Sequence, residues 1–393
     1  MTSTRILPSE YARFRTDIID THFKKILKKN RFTILDPMCG TAPLIPILEC
    51  EGHKAYLNDI LPIHFFVNQA KTLRMFNCYR DLGRNWFSEC LFTRLGRLNG
   101  KQLVISEKWI DDDVLDVLVN AWNKTENDNK PTKTLMRTFI LLCVRSFSCI
   151  TKSKNSTWVK IGGVSSNKSL SVVIADSLNK FENYFTHNYG DSENCEGKCV
   201  FLNSDVLKLK LPEKVDLILT SPPYCNRFDI ATSYGPEVYF LSKVGFITPR
   251  SEIIGTNDVK NYESFETDLS FLMRESKTAN KFLSTIMKSE NRDEQTYYAK
   301  YYTRYFTLVI KAFEKSLSNL LPEGKMYFVT QDNIHRGQLI EIDTILRELL
   351  VSIGWKCRRV DSWERHHLGL QNISREKALI KPKQFEKLTM VCK

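Results

Sequence analysis

The chain has 393 residues, 42% of them hydrophobic, which is enough to bury a large core and one accessory domain. Its 57 Lys and Arg against 45 Asp and Glu leave a formal charge of +12, and that balance favours a polyanionic partner because phosphate contacts release counterions. No apolar run approaches the roughly 20 residues of a membrane span, and the opening MTSTRILPSE lacks a secretory apolar core, so a cytoplasmic protein with no membrane partner is expected.

In chain order the first legible element is TILDPMCGTAPL at 33–44, an apolar strand that ends in Asp36-Pro37 and runs on through Met38, Cys39, Gly40, Thr41 and Ala42. A glycine at a strand end lets the backbone approach a ligand, and a helix after it would offer its N-terminal amides to a carboxylate. HKAYLNDILP at 53–62 predicts a second strand that ends at Asn58, Asp59 and Ile60. That acid lies about 20 residues past the first turn, where a doubly wound nucleotide site places a carboxylate against ribose hydroxyls.

Residues 81–197 form an interval far too long for a loop. VLDVLVNAWNK and PTKTLMRTFILLCVRSFSCI predict helices there, with Pro131 in a first turn, while TKSKNSTWVKIGGVSSNKS is cationic and hydroxyl-rich, suited to touching phosphates. CVFLNSDVL at 199–207 then predicts a strand closing on Asp205 and Val206, and VDLILTSPPY at 215–224 another, running into Thr220, Ser221, Pro222, Pro223 and Tyr224. Two prolines remove two backbone donors and fix two φ angles, so the chain leaves that strand in one stiff, extended shape. Such a corner holds the Ser221 hydroxyl and the Pro222 carbonyl outward as two acceptors, with the Tyr224 ring as a stacking plate. This suits a flat base bearing an NH2 group. A polar insertion at 243–300 follows, and it leads into YYAKYYTRYFTLVIKAFEKSL, whose tyrosines read either as a stacking surface or as the buried face of a helix. KMYFVTQDN, which follows a Leu-Pro-Glu-Gly turn, predicts a strand, and IEIDTILRELLVSIGW, WKCRRVDSWE and EKLTMVCK predict helix, strand and strand.

TSPPY resembles the catalytic motif of S-adenosylmethionine-dependent amino-methyltransferases, which methylate exocyclic nitrogens of DNA bases; the Ser form is the one most associated with cytosine-N4 enzymes. CNRFDIATSYGPEVYFL resembles the stretch that follows this motif in the same family. DPMCGTA is similar to the family's methyl-donor loop, Asp-Pro-Phe-x-Gly-x-Gly, with Met38 in place of the aromatic residue and Ala42 in place of the second glycine. The resemblance covers about residues 30–75 and 198–393. It implies an α/β fold, a Rossmann-like seven-stranded methyltransferase sheet with helices on both faces, plus a largely helical insertion. The catalytic core would be 1–80 with 198–393, residues 81–197 would be an inserted, mainly helical DNA target-recognition region, and 243–300 a second insertion. The implied cofactor is S-adenosylmethionine, held by Asp36, Pro37, Met38, Cys39, Gly40, Thr41, Asp59, Ile60, Asp205, Val206 and Thr220. The implied catalytic residues are Ser221, Pro222, Pro223 and Tyr224. The implied partners are double-stranded DNA and a cognate restriction endonuclease within a restriction-modification system. Stacking would use the Tyr224 ring and leave its hydroxyl without a task.

Other readings stay open at this stage. A Pro-Pro-Tyr after a strand also serves as a plain turn, and each acidic strand end also serves as a helix cap. An adenine-N6 DNA methylase would use the same fold, cofactor and loop. A tRNA guanine-N2 methylase usually carries Asp-Pro-Pro-Tyr and an N-terminal RNA-binding module, for which a cofactor strand starting near residue 33 leaves no expected room. A catalytically dead nucleic-acid-binding protein is the non-enzyme alternative, favoured only by Ala42. The eleven cysteines include no Pro-Cys dipeptide, the signature of carbon-5 cytosine chemistry, and Cys195 with Cys199 has no second pair at zinc-like spacing, so no metal and scattered reduced thiols are expected. His335 and the His366-His367 pair read as phosphate or packing contacts.

Overall fold

The computed structural model describes residues 6, 18–98, 108–152, 159–162, 169–190, 192, 194–225, 230–256, 258–259, 262–364 and 382–393. His366-His367, Asn226 to Asp229, and most of the cationic stretch at 153–168 lie outside the described residues. The chain is α/β, with eleven described strands: β1 Thr33–Asp36, β2 Lys54–Asn58, β3 Ile150–Lys152, β4 Val159–Ile161, β5 Lys198–Leu202, β6 Val215–Thr220, β7 Leu320–Gln331, β8 Asn333–His335, β9 Gln338–Ile340, β10 Lys356–Glu364 and β11 Phe385–Cys392. Seven form one sheet in the order β10-β11-β7-β6-β1-β2-β5. The pairs β1·β6, β2·β5 and β6·β7 are parallel, whereas β11 runs antiparallel to both β7 and β10. From β1 the chain adds strands outward through β2 to β5, then returns to add β6 and β7 on the other side of β1. The order therefore reverses between β1 and β6, and ligands of open α/β sheets bind at the carboxyl ends of strands at such a reversal.

By density of internal contacts the chain divides into two compact units, one of residues 1–31, 40–203 and 230–248, the other of 32–39, 204–229 and 249–393. The first is built round the Lys130–Val144 helix, where every residue from Leu135 to Val144 is buried. A helix apolar on all sides needs partners on all sides, and it packs on the Pro62–Ala70, Leu73–Leu82, Arg84–Leu95, Asp112–Lys124 and Leu170–Tyr189 helices. Phe76, Tyr79, Phe87, Phe139, Phe181 and Phe185 interlock as one aromatic cluster there. Both helices predicted inside 81–197 are present: Asn129 caps the second by accepting from the Thr132 amide at 3.0 Å, with Pro131 in its first turn. The interval also carries the β3–β4 ribbon, which its composition did not announce.

In the second unit the Ala299–Leu317 helix packs against β7 and against the Phe265–Glu275, Lys277–Met287 and Ile342–Ser352 helices. The predicted Leu-Pro-Glu-Gly turn is a bulge inside β7: Val215 pairs with Leu320 and Leu217 with Lys325, so residues 321–324 loop out of the ladder. Only glycine fits at 324, because a Cβ there would meet Leu320 and the Asp216 carbonyl within 3 Å. Among the described residues no helix is long and apolar enough to cross a membrane.

Candidate active site

β1 and β6 pair in parallel with Ile34 beside Leu217 and Leu35 beside Ile218, and the Asp216 carboxylate fixes the register from below by accepting from the Thr33 amide at 2.7 Å. Asp36-Pro37-Met38-Cys39 and Ser221-Pro222-Pro223-Tyr224 therefore leave adjacent strands at the same end. Asp36 is buried and accepts from the Met38 amide at 3.3 Å, which turns the chain off the strand.

Beyond Thr220 the corner is tied down at three points. The buried Tyr305 hydroxyl donates to the Pro223 carbonyl at 2.8 Å, the Tyr224 hydroxyl donates to Glu386 Oε1 at 3.0 Å, and the Asn333 side-chain amide donates to the Cys225 carbonyl. Burial pushes the Tyr305 phenol well above its ordinary range, so it stays a donor. Asn333 opens the β8–β9 hairpin, whose turn has Arg336 and Gly337 at φ 45° and 83°, as a two-residue hairpin turn of this hand requires. Among the described residues no hydrogen bond or ion pair engages the Ser221 hydroxyl or the Pro222 carbonyl. The corner thus spends the Pro223 carbonyl, the Tyr224 hydroxyl and the Cys225 carbonyl on holding still, and leaves these two acceptors unengaged among the described residues. The Thr220 hydroxyl just before it is fully buried and likewise has no partner there.

In the first unit Asp59 leaves β2 beside the end of β5, where Asn58 pairs with Leu202, and the Asn203 amide ties that end by donating to the Asp59 and Ile60 carbonyls at 2.8 and 3.0 Å. Its carboxylate is a hub. Oδ2 accepts from the Gly40 amide at 2.9 Å, Oδ1 from the Leu61 amide at 2.9 Å, and His64 Nδ1 lies 3.0 Å from Oδ1. Burial works against its charge, but His64 and the two amides outweigh that and hold the carboxyl below the ordinary aspartate range. The sequence assigned Asp59 to a ribose; the observed partners show it holding the backbone at Gly40 and Leu61.

The same loop is gripped from behind. The Asn68 amide donates to the Gly40 carbonyl at 2.8 Å and the buried Lys71 ammonium to the Thr41 carbonyl at 2.7 Å. Gly40 and Ala42 have φ of 51° and 44°. The second value costs an L-residue about 1–2 kcal/mol, and Pro43 behind it narrows the choice further. Thr41 is buried and its hydroxyl has no partner among the described residues. A buried hydroxyl left over in this way fits a bound polar group.

Several sequence expectations change here. The helix after the loop begins at Ile45, has six residues, and carries Pro46 in its first turn, which removes one of its N-terminal amides. Asp205 caps its own turn by accepting from the Leu207 amide at 3.0 Å, with buried Val206 beside it. Tyr301, Tyr302 and Tyr305 are buried and belong to a helix core face, from which Tyr305 reaches the corner, whereas Tyr297 and Tyr298 are half-buried. His335 packs against Tyr298 and Tyr302 and meets the buried Glu294 at 2.7 Å. The Tyr224 hydroxyl has a partner. Cys50 and Cys195, free thiols far apart in the chain, bring their sulfurs to 2.7 Å. Sequence reasoning missed Asn68, Lys71, Asn203, Asn333 and Glu386.

Comparison with protein-family models and with curated proteins gave no match.

Proposed function

We propose that the chain is an S-adenosylmethionine-dependent, site-specific DNA methyltransferase acting on the exocyclic N4 amino group of a flipped cytosine, working with a cognate endonuclease in a restriction-modification system. The observation that carries this reading is the division of labour at the corner, where Pro223, Tyr224 and Cys225 are clamped while the Ser221 hydroxyl and Pro222 carbonyl stand free. The departure of Asp36-Pro37 and Thr220-Ser221 from adjacent parallel strands, at the reversal of strand order, supports it.

Bound S-adenosylmethionine supplies an electrophilic methyl group on a sulfonium. Asp59, Gly40 and Thr41 would hold it. A base flipped from the duplex would stack on the Tyr224 ring and present its amine to Ser221 Oγ and the Pro222 carbonyl, each accepting one N–H. Accepting both draws the nitrogen towards tetrahedral geometry and frees its lone pair for methylation. Alignment of two bound reactants supplies about 7–11 kcal/mol of barrier reduction; the N–C bond would form as the S–CH3 bond breaks to leave a neutral thioether, and the cationic nitrogen so formed is acidic enough to lose one proton to water, so no strong base is needed. The net charge of +12 suits DNA as the partner.

The test is incubation with methyl-labelled S-adenosylmethionine and unmethylated genomic DNA or bulk tRNA, followed by digestion to nucleosides and mass spectrometry. Label in N4-methyldeoxycytidine is expected. Label in N6-methyldeoxyadenosine would keep the roles of loop and corner and move the target base. Label confined to tRNA would overturn the DNA substrate, and no label anywhere would overturn the enzyme.

A further inference from the structure

The donor loop holds an alanine where its own backbone asks for glycine. Ala42 sits at φ 44°, in the left-handed region, immediately before a proline and almost wholly buried. Such a conformation persists only where the surroundings over-determine it. Two carbonyls just before Ala42 are taken by side chains from one short segment: Gly40 C=O by the Asn68 amide at 2.8 Å and Thr41 C=O by the Lys71 ammonium at 2.7 Å. Asn68 stands at the end of the Pro62–Ala70 helix and Lys71 is its C-cap, so both are fixed by a helix whose first turn also supplies the Leu61 amide and His64 to Asp59. Lys71 is 2% exposed. Burying an ammonium is costly unless its donors are well used, and here one of them fixes the loop. The Gly40 amide, donating to Asp59 Oδ2 at 2.9 Å, completes a grip on both backbone polar groups of Gly40.

We propose that Asn68 and Lys71 are positioning residues of the donor loop, holding by side-chain hydrogen bonds the backbone shape that a glycine at position 42 would adopt freely. This rests on the reading of the loop as the S-adenosylmethionine site. It makes a specific claim of coupling: the two donors matter because residue 42 is strained, so removing the strain should remove the need for them.

The experiment compares Lys71→Met and Asn68→Ala, each with and without Ala42→Gly. Two quantities are read: amide hydrogen exchange over residues 36–45, without donor present, and S-adenosylmethionine affinity by calorimetry. Lys71→Met keeps the length and apolar contacts of the side chain, and should speed exchange and weaken affinity by about tenfold, the scale of one lost buried hydrogen bond. Asn68→Ala should do the same. Adding Ala42→Gly should bring both quantities back to within about threefold of the parent, a non-additivity that general loss of packing would not give. Ala42→Gly alone relieves strain but frees the unfolded chain, two opposed effects, so only the coupling is diagnostic. Equal losses with and without Ala42→Gly would overturn the proposal, as would an unchanged loop in Lys71→Met and Asn68→Ala. If the parent protein bound no S-adenosylmethionine, the functional reading would fall, while the exchange data would still decide the bracing role.

Discussion

The loop from Pro37 to Ala42 and the Thr220–Tyr224 corner are both irregular backbone at strand ends, and they keep their shape by different means. The loop is strained at Ala42 and is held by side chains 19, 28 and 30 residues further on, from Asp59, Asn68 and Lys71. The corner is stiff in itself, because two prolines fix its φ angles, and its clamps come from 82, 108 and 162 residues away, at Tyr305, Asn333 and Glu386. Damage should therefore look different in the two places. The loop should fail in donor binding, brace by brace; the corner should fail in turnover, at single atoms.

The largest effect that separates them is expected at Ser221. Ser221→Ala removes one of two acceptors that nothing in the described protein uses, so turnover should fall about a hundredfold or more, as for loss of one aligned polar group at a reacting centre, with S-adenosylmethionine affinity nearly unchanged. Steady-state kinetics and calorimetry on one preparation check this. Full activity would remove Ser221 from the chemistry.

Asp59→Ala should give the opposite pattern, a loss of affinity with little change in turnover at saturating donor, because it frees the Gly40 and Leu61 amides together. The pH dependence has a definite sign. The folded-state pKa of Asp59 is lowered, so its stabilisation is complete above the ordinary aspartate value of about 4 and is lost as pH falls through the lower folded value. Acid unfolding of Asp59→Asn should accordingly lack part of the stability change that the parent shows below about pH 4. Identical acid curves would mean that the carboxylate is not held as described.

Tyr305→Phe keeps the ring and deprives the Pro223 carbonyl of its donor, which should cost about 1–3 kcal/mol in a denaturant midpoint, with a smaller loss of turnover than Ser221→Ala. An unchanged midpoint and rate would mean that the prolines alone hold the corner.

The same contrast explains what was legible in the chain. Asp36-Pro37, Gly40, Asp59 and TSPPY stand out because each couples an unusual backbone to a strand end, a local event that a local pattern records. The short-range grip on the loop was hidden for another reason: Asn68 in the Pro62–Ala70 helix and Lys71 at its C-cap read as ordinary polar positions, and only the fold turns them towards Gly40 and Thr41. The long-range clamps were illegible in principle, since nothing near Glu386 or Asn333 refers to the corner. Tyr305 was noticed for the wrong property, as one ring in a stripe, while its function lies in a hydroxyl at the rim of that buried face. The seven strands were readable from apolar runs, yet the β7 bulge was taken for a turn before the strand, because a Leu-Pro-Glu-Gly segment has the same composition in either setting.

The smallest expected effect tests the finest point of the comparison, whether the corner's own ring is positioned or merely present. Stacking alone predicts that Tyr224→Phe is silent. The hydrogen bond to Glu386 Oε1 predicts instead a loss of about fivefold in turnover, near 1 kcal/mol, from a ring that keeps its area but not its orientation. Glu386→Gln retains an accepting oxygen and should be close to neutral, whereas Glu386→Leu should match Tyr224→Phe, and the double variant should be no worse than either, because one bond is removed only once. Full activity in Tyr224→Phe would make the bond idle and restore the ring as the only functional part. A loss of a hundredfold or more would be too large for orientation and would place the hydroxyl in the reaction itself.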